Sequence, residues 1–336
     1  MTISGMNRRR VACALLAFGL AAPAALAAGP PADWLREWPQ TDFSHSLVAF
    51  DEIRSGGPPK DGIPSIDEPR FAPIAEGRAA HADREPVMSV EIGGEARAYP
   101  LSILMWHEIV NDTVGDRPVA VTFCPLCNAG VVVSRVVEGA ETTFGTTGKL
   151  RHSDLVMYDR ATESWWQQFE GRAILGERAG TELEKLPFRL ESVAQFAERR
   201  PDGRILRPPQ PERRDYGRNP YAGYDRAARP MLYRGDYDGP GRALMRVVAV
   251  EGLDGAWSLP LVRERGVVRK GDVEISWREG QASALDAPSI AEGREVGTVT
   301  VRRRGADGAW RDAVHDIPFA FAFRAFRPDA PIHHTD

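Results

Sequence analysis

The chain has 336 residues, with 43 Lys and Arg against 47 Asp and Glu, and a formal net charge of −4 at pH 7. This acidic balance, without a long basic run, argues against nucleic acid as a partner. The chain has only 3 cysteines, too few for a disulfide scaffold, so the fold must depend on burial of its 43% hydrophobic residues.

The first residues are typical of an export signal. Basic residues 8–10 precede an apolar run at 11–20, and the Ala-Leu-Ala of 25–27 fits the small-x-small cleavage rule. The apolar run is too short to span a bilayer, and no later run reaches the length required. We therefore predict cleavage after Ala27, with loss of Cys13, and a periplasmic or secreted protein. The ordinary secretory route is favoured over the twin-arginine route.

Residues 28–86 are rich in Pro and Gly and predict an extended segment that wraps the surface. We expect four aromatic residues to hold this segment in place: Trp34, Trp38, Phe43 and Phe50. The remainder, 87–330, is predicted to be a single β-rich domain.

This domain begins with a predicted β-hairpin followed by a helix. Residues 87–92 alternate with the period of a strand, and Gly93-Gly94 supplies turn residues. In the helix, Ile103, His107 and Val110 fall at i, i+4 and i+7. His107 is therefore predicted to share the buried stripe of the helix.

The stretch 118–135 carries the two cysteines expected in the mature protein. Apolar residues alternate before Cys124, and the turn residues Asn128 and Gly130 follow Cys127 before a run of three valines. This pattern predicts a β-hairpin with the C-x-x-C pair at its tip.

A C-x-x-C pair supports three interpretations. It can cycle between dithiol and disulfide, or form half of a site for zinc or copper. It can also close a turn as an inert disulfide in an oxidising compartment. The valines after the pair argue against a thioredoxin-like helix. His107 and His152 are the candidate partners; the alternatives are a hydrogen-bonded core histidine and a solvated loop histidine.

A second hairpin is predicted within 144–169, with its turn at 161–163. Its polar and aromatic side chains suggest a cleft, with Asp154, Asp159 and Glu163 as candidate acids and bases. We expect Tyr158, Trp166 and Gln167 to line a ligand there. The alternative is that the aspartates belong to turns and the aromatic rings pack across strands.

The second half of the chain contains a capped helix, a long loop and a suspected repeat. Ser192 and Gln195 form a capping box at the start of a short helix. Residues 207–240 form a Pro/Tyr/Arg loop, in which Arg218, Tyr221 and Tyr224 either cover a ligand or pack on the surface. The segments 87–200 and 241–330, joined by 201–240, suggest two degenerate β-rich repeats. Chance similarity of β-turn-β patterns is the alternative.

Several motifs together resemble an uncharacterised bacterial family of exported proteins, domain of unknown function 3179. The matching residues are 106–112 (WHEIVND), 124–127 (CPLC), 144–145, 148–150, 153–159, 162–164 and 166–168, with the likeness extending through 216–221 to about 329. The resemblance carries no activity with it. It implies that the motifs containing His107, the two cysteines and residues 154–167 belong together as shared features of the family.

The sequence thus predicts an exported, mainly β (α+β) protein of antiparallel hairpins with a few short helices. The leading functional hypothesis is a metal-binding or thiol-redox site at Cys124 and Cys127, near His107 and His152, with an unidentified small molecule or protein as partner. The competing hypothesis is a periplasmic ligand-binding or structural module in which the cysteines form an inert disulfide.

Overall fold

A computed structural model of the protein describes residues 1–2, 29–210 and 212–335. Cys13 and nearly all of the predicted export signal lie outside these residues, so export stays a prediction. Strand accounts for 37% and helix for 16%, which confirms the mainly β fold class. Over the described ranges, none of the helices combines the length and the apolar character needed to cross a membrane.

The strands are short and mostly antiparallel. In chain order they are β1 (Ile53–Ser55), β2 (Phe71–Pro73), β3 (Pro86–Ile92), β4 (Glu95–Pro100), β5 (Ile109–Val114), β6 (Arg117–Cys124), β7 (Ala129–Ser134), β8 (Val136–Val137), β9 (Ala140–Glu141), β10 (Phe144–Arg151), β11 (Asp154–Asp159), β12 (Trp165–Gln167), β13 (Arg172–Leu175), β14 (Lys185–Leu186), β15 (Arg189–Ser192), β16 (Arg204–Leu206), β17 (Val247–Val250), β18 (Ala256–Ser258), β19 (Val267–Lys270), β20 (Val273–Arg278), β21 (Thr298–Arg304), β22 (Trp310–Asp312), β23 (His315–Asp316) and β24 (Ile332–His333).

The helices are one or two turns long and connect strands. They are α1 (Ala32–Glu37), α2 (Ile74–Gly77), α3 (Leu101–His107), α4 (Val193–Arg199), α5 (Leu259–Arg265) and α6 (Ala320–Phe326), with 3-10 turns at Phe50–Glu52, Arg78–Ala80, Tyr224–Arg226 and Ile290–Glu292. Ser192 caps α4 and forms the predicted capping box with Gln195.

Two of the sheets position the cysteines. One has the strand order β14-β7-β6-β5, and the other has the order β1-β10-β11-β12-β13. A nine-stranded sheet runs β19-β20-β21-β15-β3-β4-β16-β2, with β22 paired to β21, and a four-stranded sheet runs β23-β17-β18-β24. The pair β8–β9 stands apart. One large core joins β5–β7, β10–β11, β17–β21 and α6 into a continuous apolar interior.

The N-terminal segment is attached to the β10–β13 sheet by aromatic packing, as its composition predicts. The ring of Trp34 lies 5.0 Å from that of Trp165, and the ring of Trp38 lies 4.9 Å from that of Tyr158. Burial of such large rings, together with the pairing of β1 with β10, fixes this segment against the sheet.

The helix predicted over 101–110 is shorter in the structure than its apolar spacing suggests. Helix α3 ends at His107 because Glu108 adopts a φ of 56°, which breaks the helical path. Val110 instead lies in β5, paired with Val121 of β6. Non-glycine residues at positive φ are uncommon, and those that occur are concentrated at functional sites.

The order of elements in the two suspected repeats is similar. Both β3-β4-α3-β5-β6 and β17-β18-α5-β19-β20 run strand, strand, seven-residue helix, strand, strand. The first unit ends in the cysteine hairpin, whereas β20 pairs with the distant β21. Duplication itself stays a prediction.

Candidate functional site

The two cysteines lie at the tip of the β6–β7 hairpin, as predicted. Cys124 ends β6, and Asn128, at a φ of 51°, turns the chain into β7. Three hydrogen bonds hold the turn: Asn128 N to Pro125 O (3.2 Å), Asn128 Nδ2 to Ile317 O (2.6 Å) and Phe319 N to Cys127 O (2.8 Å). Both cysteines are buried free thiols, so the disulfide of the competing hypothesis is not formed in this structure.

A second turn faces the first. Strands β10 and β11 are joined by His152 and Ser153, both at positive φ (53° and 68°), as a tight two-residue hairpin requires. The thiol of Cys124 lies 3.6 Å from Ser153 O, and that of Cys127 lies 3.9 Å from His152 O. This turn places the next residue, Asp154, against both sulfur atoms.

Asp154 is fully buried and only partly satisfied. Its Oδ2 accepts hydrogen bonds from Gln167 Nε2 (2.7 Å) and Phe169 N (3.0 Å). No nitrogen or oxygen donor of the described residues reaches Oδ1. One carboxylate oxygen and the Cys124 and Cys127 sulfur atoms lie within 4.8 Å of one another. Three potential metal ligands therefore converge on one point.

The electrostatics of this point are those of an acidic cluster. Burial raises the pKa of Asp154 to about 7, against hydrogen bonds that lower it. Burial also raises the pKa values of Cys124 and Cys127, and the charge of Asp154 adds to both shifts. Burial, and then Asp154, raises the pKa of Glu108 to about 8. The charge of Asp154 thus opposes ionisation of both thiols and of Glu108, and a bound cation would reverse that effect.

The long loop closes over the cysteine turn through its tyrosines. Tyr224 donates to Leu126 O (2.9 Å) and accepts from Met231 N (3.2 Å). Burial raises the pKa of Tyr221, and the charges of Glu108 and Cys124 raise it further. The structure thus brings Tyr221 and Tyr224 to the site.

Arg218 occupies a different position. It is exposed and forms an isolated β-bridge with Ser289, so nothing in the geometry joins it to the cysteines.

The candidate histidines are close to the hairpin in sequence but do not join the three-ligand group. His107 is buried, with Nδ1 2.7 Å from Pro64 O and Nε2 2.8 Å from Tyr216 Oη, so both ring nitrogens are engaged. Burial lowers its pKa to about 4. The ring of His152 packs against Phe326 at 5.2 Å, and its backbone carbonyl, not its imidazole, faces Cys127.

The predicted polar cleft of the second hairpin is instead buried, because its polar groups are paired with one another and with neighbouring chain. Asp159 accepts from Trp166 Nε1 (2.9 Å) and Arg178 Nη1 (3.1 Å). Glu163 pairs with Lys60. Tyr158 donates to Asp61. Of this set, the structure brings only Asp154 and Gln167 to the cysteines.

Two acids near the site, one buried and one half-buried, were not assigned from the sequence. Glu108 is one, and Asp316 is the other; its Oδ1 accepts from Gly130 N at 3.0 Å. Burial raises the pKa of Asp316 to about 7, and its charge raises the pKa of Cys127. The sequence signal that could have identified Glu108 is an acidic residue within the mostly apolar stretch 103–110.

The chain belongs to the family described as "Protein of unknown function (DUF3179)", whose model matches residues 60–330. This confirms the resemblance seen in the motifs. No curated protein and no solved structure matches the chain.

Proposed function

We propose that this member of the DUF3179 family binds a single zinc ion through Cys124 Sγ, Cys127 Sγ and Asp154 Oδ1. The observation that carries the proposal is the buried Asp154 carboxylate: one of its oxygens lies within 4.8 Å of two free thiols, and its Oδ1 has no nitrogen or oxygen donor among the described residues. Buried polar atoms in proteins are nearly always hydrogen-bonded or bound to a metal. A cation supplies the missing partner of Oδ1.

The donor set favours zinc over copper. Zinc accepts thiolate and carboxylate ligands together, whereas Cu(I) prefers sulfur and imidazole. Ligand atoms of a tetrahedral zinc centre are separated by about 3.5 to 3.8 Å. Since the three atoms here lie within 4.8 Å of one another, each pair needs to approach by about 1.3 Å at most.

Three protein ligands leave the fourth position of a tetrahedral centre free for water or a small molecule. Two further ionisable side chains, Glu108 and Tyr221, interact electrostatically with the cluster: Asp154 adds to the raised pKa of Glu108, and Glu108 and Cys124 add to that of Tyr221. A carboxyl with a pKa of about 8 can hold or accept a proton near neutral pH. The arrangement suits a reactive centre better than a purely structural one, whose coordination is closed.

Thiol redox chemistry has weaker support. An attacking cysteine needs a lowered pKa, usually from a helix N-terminus or a nearby cation. Here burial raises the pKa values of both thiols, and the neighbouring charges that add to the shift are acidic. These pKa directions are unfavourable for an attacking thiol, and we therefore prefer metal binding to redox cycling.

The test is elemental analysis combined with thiol titration of the purified, reduced protein. We expect one zinc per chain, with both thiols protected from alkylation until a chelator is added. Asp154→Asn and Cys124→Ser should each weaken zinc binding at least tenfold. Asp159→Asn, which changes a buried carboxylate in the same strand, should leave it unchanged. Freely reactive thiols without metal, or full zinc affinity in Asp154→Asn, would contradict the proposal.

A further inference from the structure

A cavity lies beside α5, away from the cysteine site. It is bounded by residues within 241–246, by α5, by residues 294–296 and by His334, and its volume is about 710 Å³. Cavities of this size commonly hold small molecules. None of the three proposed zinc ligands lines it.

Two arginines in the wall share one carboxylate oxygen. Arg294 Nη2 lies 2.9 Å from Asp225 Oδ2, and Arg246 Nη2 lies 3.8 Å from the same atom. The other nearby carboxylate, Asp286, pairs with Arg226. With Arg242, Arg263 and Glu264, which also line the cavity, five guanidinium groups face three carboxylates, so the local charge is positive.

The Arg246 guanidinium is buried without a full set of acceptors. Only 6% of its side chain is exposed, and Nη2 donates to Ser283 Oγ at 2.8 Å. Its Nε is buried and finds no acceptor among the described residues. Burial lowers the pKa of Arg246 to about 10, although Asp225 opposes the shift. A buried cation in this condition is stabilised by an anion.

The remaining wall combines charged and apolar residues. Leu244, Met245 and Val296 contribute apolar surface. Glu295, an acid in the wall, is already occupied: it pairs with Arg84 and accepts backbone N–H groups through Oε1. It therefore does not cancel the charge of the two arginines.

From this arrangement we infer that the cavity binds an organic carboxylate with an apolar tail. The carboxylate pairs with Arg246 and Arg294, for which the planar guanidinium is well suited. The tail packs on Leu244, Met245 and Val296. This binding site is separate from the proposed zinc centre and does not depend on it.

Calorimetric titration of the full chain tests the inference with three probes: hexanoate, hexylamine and inorganic phosphate. We expect saturable binding of hexanoate and none of hexylamine, since the amine keeps the tail but reverses the charge. Absence of hexanoate binding overturns the inference. Phosphate binding as tight as that of hexanoate overturns the role given to the apolar tail.

Matched variants locate the binding. Arg294→Gln should weaken hexanoate at least tenfold, and its side chain is exposed enough (42%) for the protein to remain folded. Arg246→Gln should abolish binding; because this side chain is buried, thermal unfolding is measured alongside it to separate loss of binding from loss of the fold. Arg265→Gln, an exposed arginine of α5 outside the cavity, should bind hexanoate as the parent protein does. Equal affinity in Arg294→Gln and the parent protein overturns the inference.

Discussion

Replacing Asp154 by asparagine should stabilise the metal-free protein at pH 8 while it removes a ligand of the proposed zinc centre. Burial raises the pKa of this carboxyl from 3.8 to about 7 in the folded protein. A carboxyl with a raised pKa binds its proton more tightly in the folded state. Its contribution to stability is therefore complete below pH 3.8 and is lost as the pH rises through 7.

The size of the effect follows from the shift. Three pKa units at about 1.4 kcal/mol each amount to about 4 kcal/mol above pH 7. Between pH 5 and pH 8 the loss is about 2.5 kcal/mol, because part of it has already occurred by pH 5. Asparagine does not ionise, so the difference in free energy of unfolding between variant and parent should grow by this amount. Groups that do not interact with Asp154, such as His107, titrate alike in both proteins and cancel. Asp154 raises the pKa of Glu108, so Glu108 ionises at lower cost in the variant and adds to the effect in the same direction.

The assay is urea denaturation at pH 5 and pH 8 in the presence of chelator and reductant. Asp159→Asn is the control: it is equally buried but paired with Arg178, so its loss should destabilise the protein at both pH values. If Asp154→Asn is as destabilising as the control at pH 8, or if its effect does not change with pH, the reasoning is wrong.

Three further outcomes are expected. His107→Gln should leave zinc stoichiometry unchanged, since both ring nitrogens are engaged. In the parent protein, the low pKa of His107 should reduce the free energy of unfolding by about 3 kcal/mol as the pH falls from 6.5 to about 4. His107→Gln should lack this reduction, and urea denaturation at each pH measures it. Gly148→Ala should lower the unfolding temperature far more than Gly139→Ala: both have positive φ, but a β-carbon at 148 would lie 2.0 Å from a carbonyl oxygen, whereas none lies near at 139. Trp165→Ala should cost about 3 to 5 kcal/mol and expose the segment around Trp34 to limited proteolysis.

The sequence predicted those parts of the site that depend on local pattern. Alternation before Cys124 and turn residues after Cys127 were sufficient to place the C-x-x-C pair at a hairpin tip. Period-2 alternation likewise predicted strands, and the Ser192 capping box predicted the start of α4. Both could be predicted because hairpin pairing and helix capping act between residues that are close in sequence.

The partner of the cysteines could not be predicted in this way. His107 was favoured because it precedes the hairpin directly, yet its ring is held by Pro64 and Tyr216, residues distant in sequence. Asp154 meets the thiols because two hairpin turns from different sheets face each other. Local periodicity carries no information about such a contact, and a buried acid beside a strand looks the same in sequence as a turn aspartate.

The aromatic attachment of the N-terminal segment also has a consequence for the timing of folding. Thr41 bonds to Glu163, 122 residues further along the chain, in the same region where Trp34 meets Trp165. At ribosomal rates, roughly 6 to 24 s separate synthesis of these partners. For that interval Trp34 and Trp38 have no sheet to pack on, so their apolar surface stays uncovered in the growing chain.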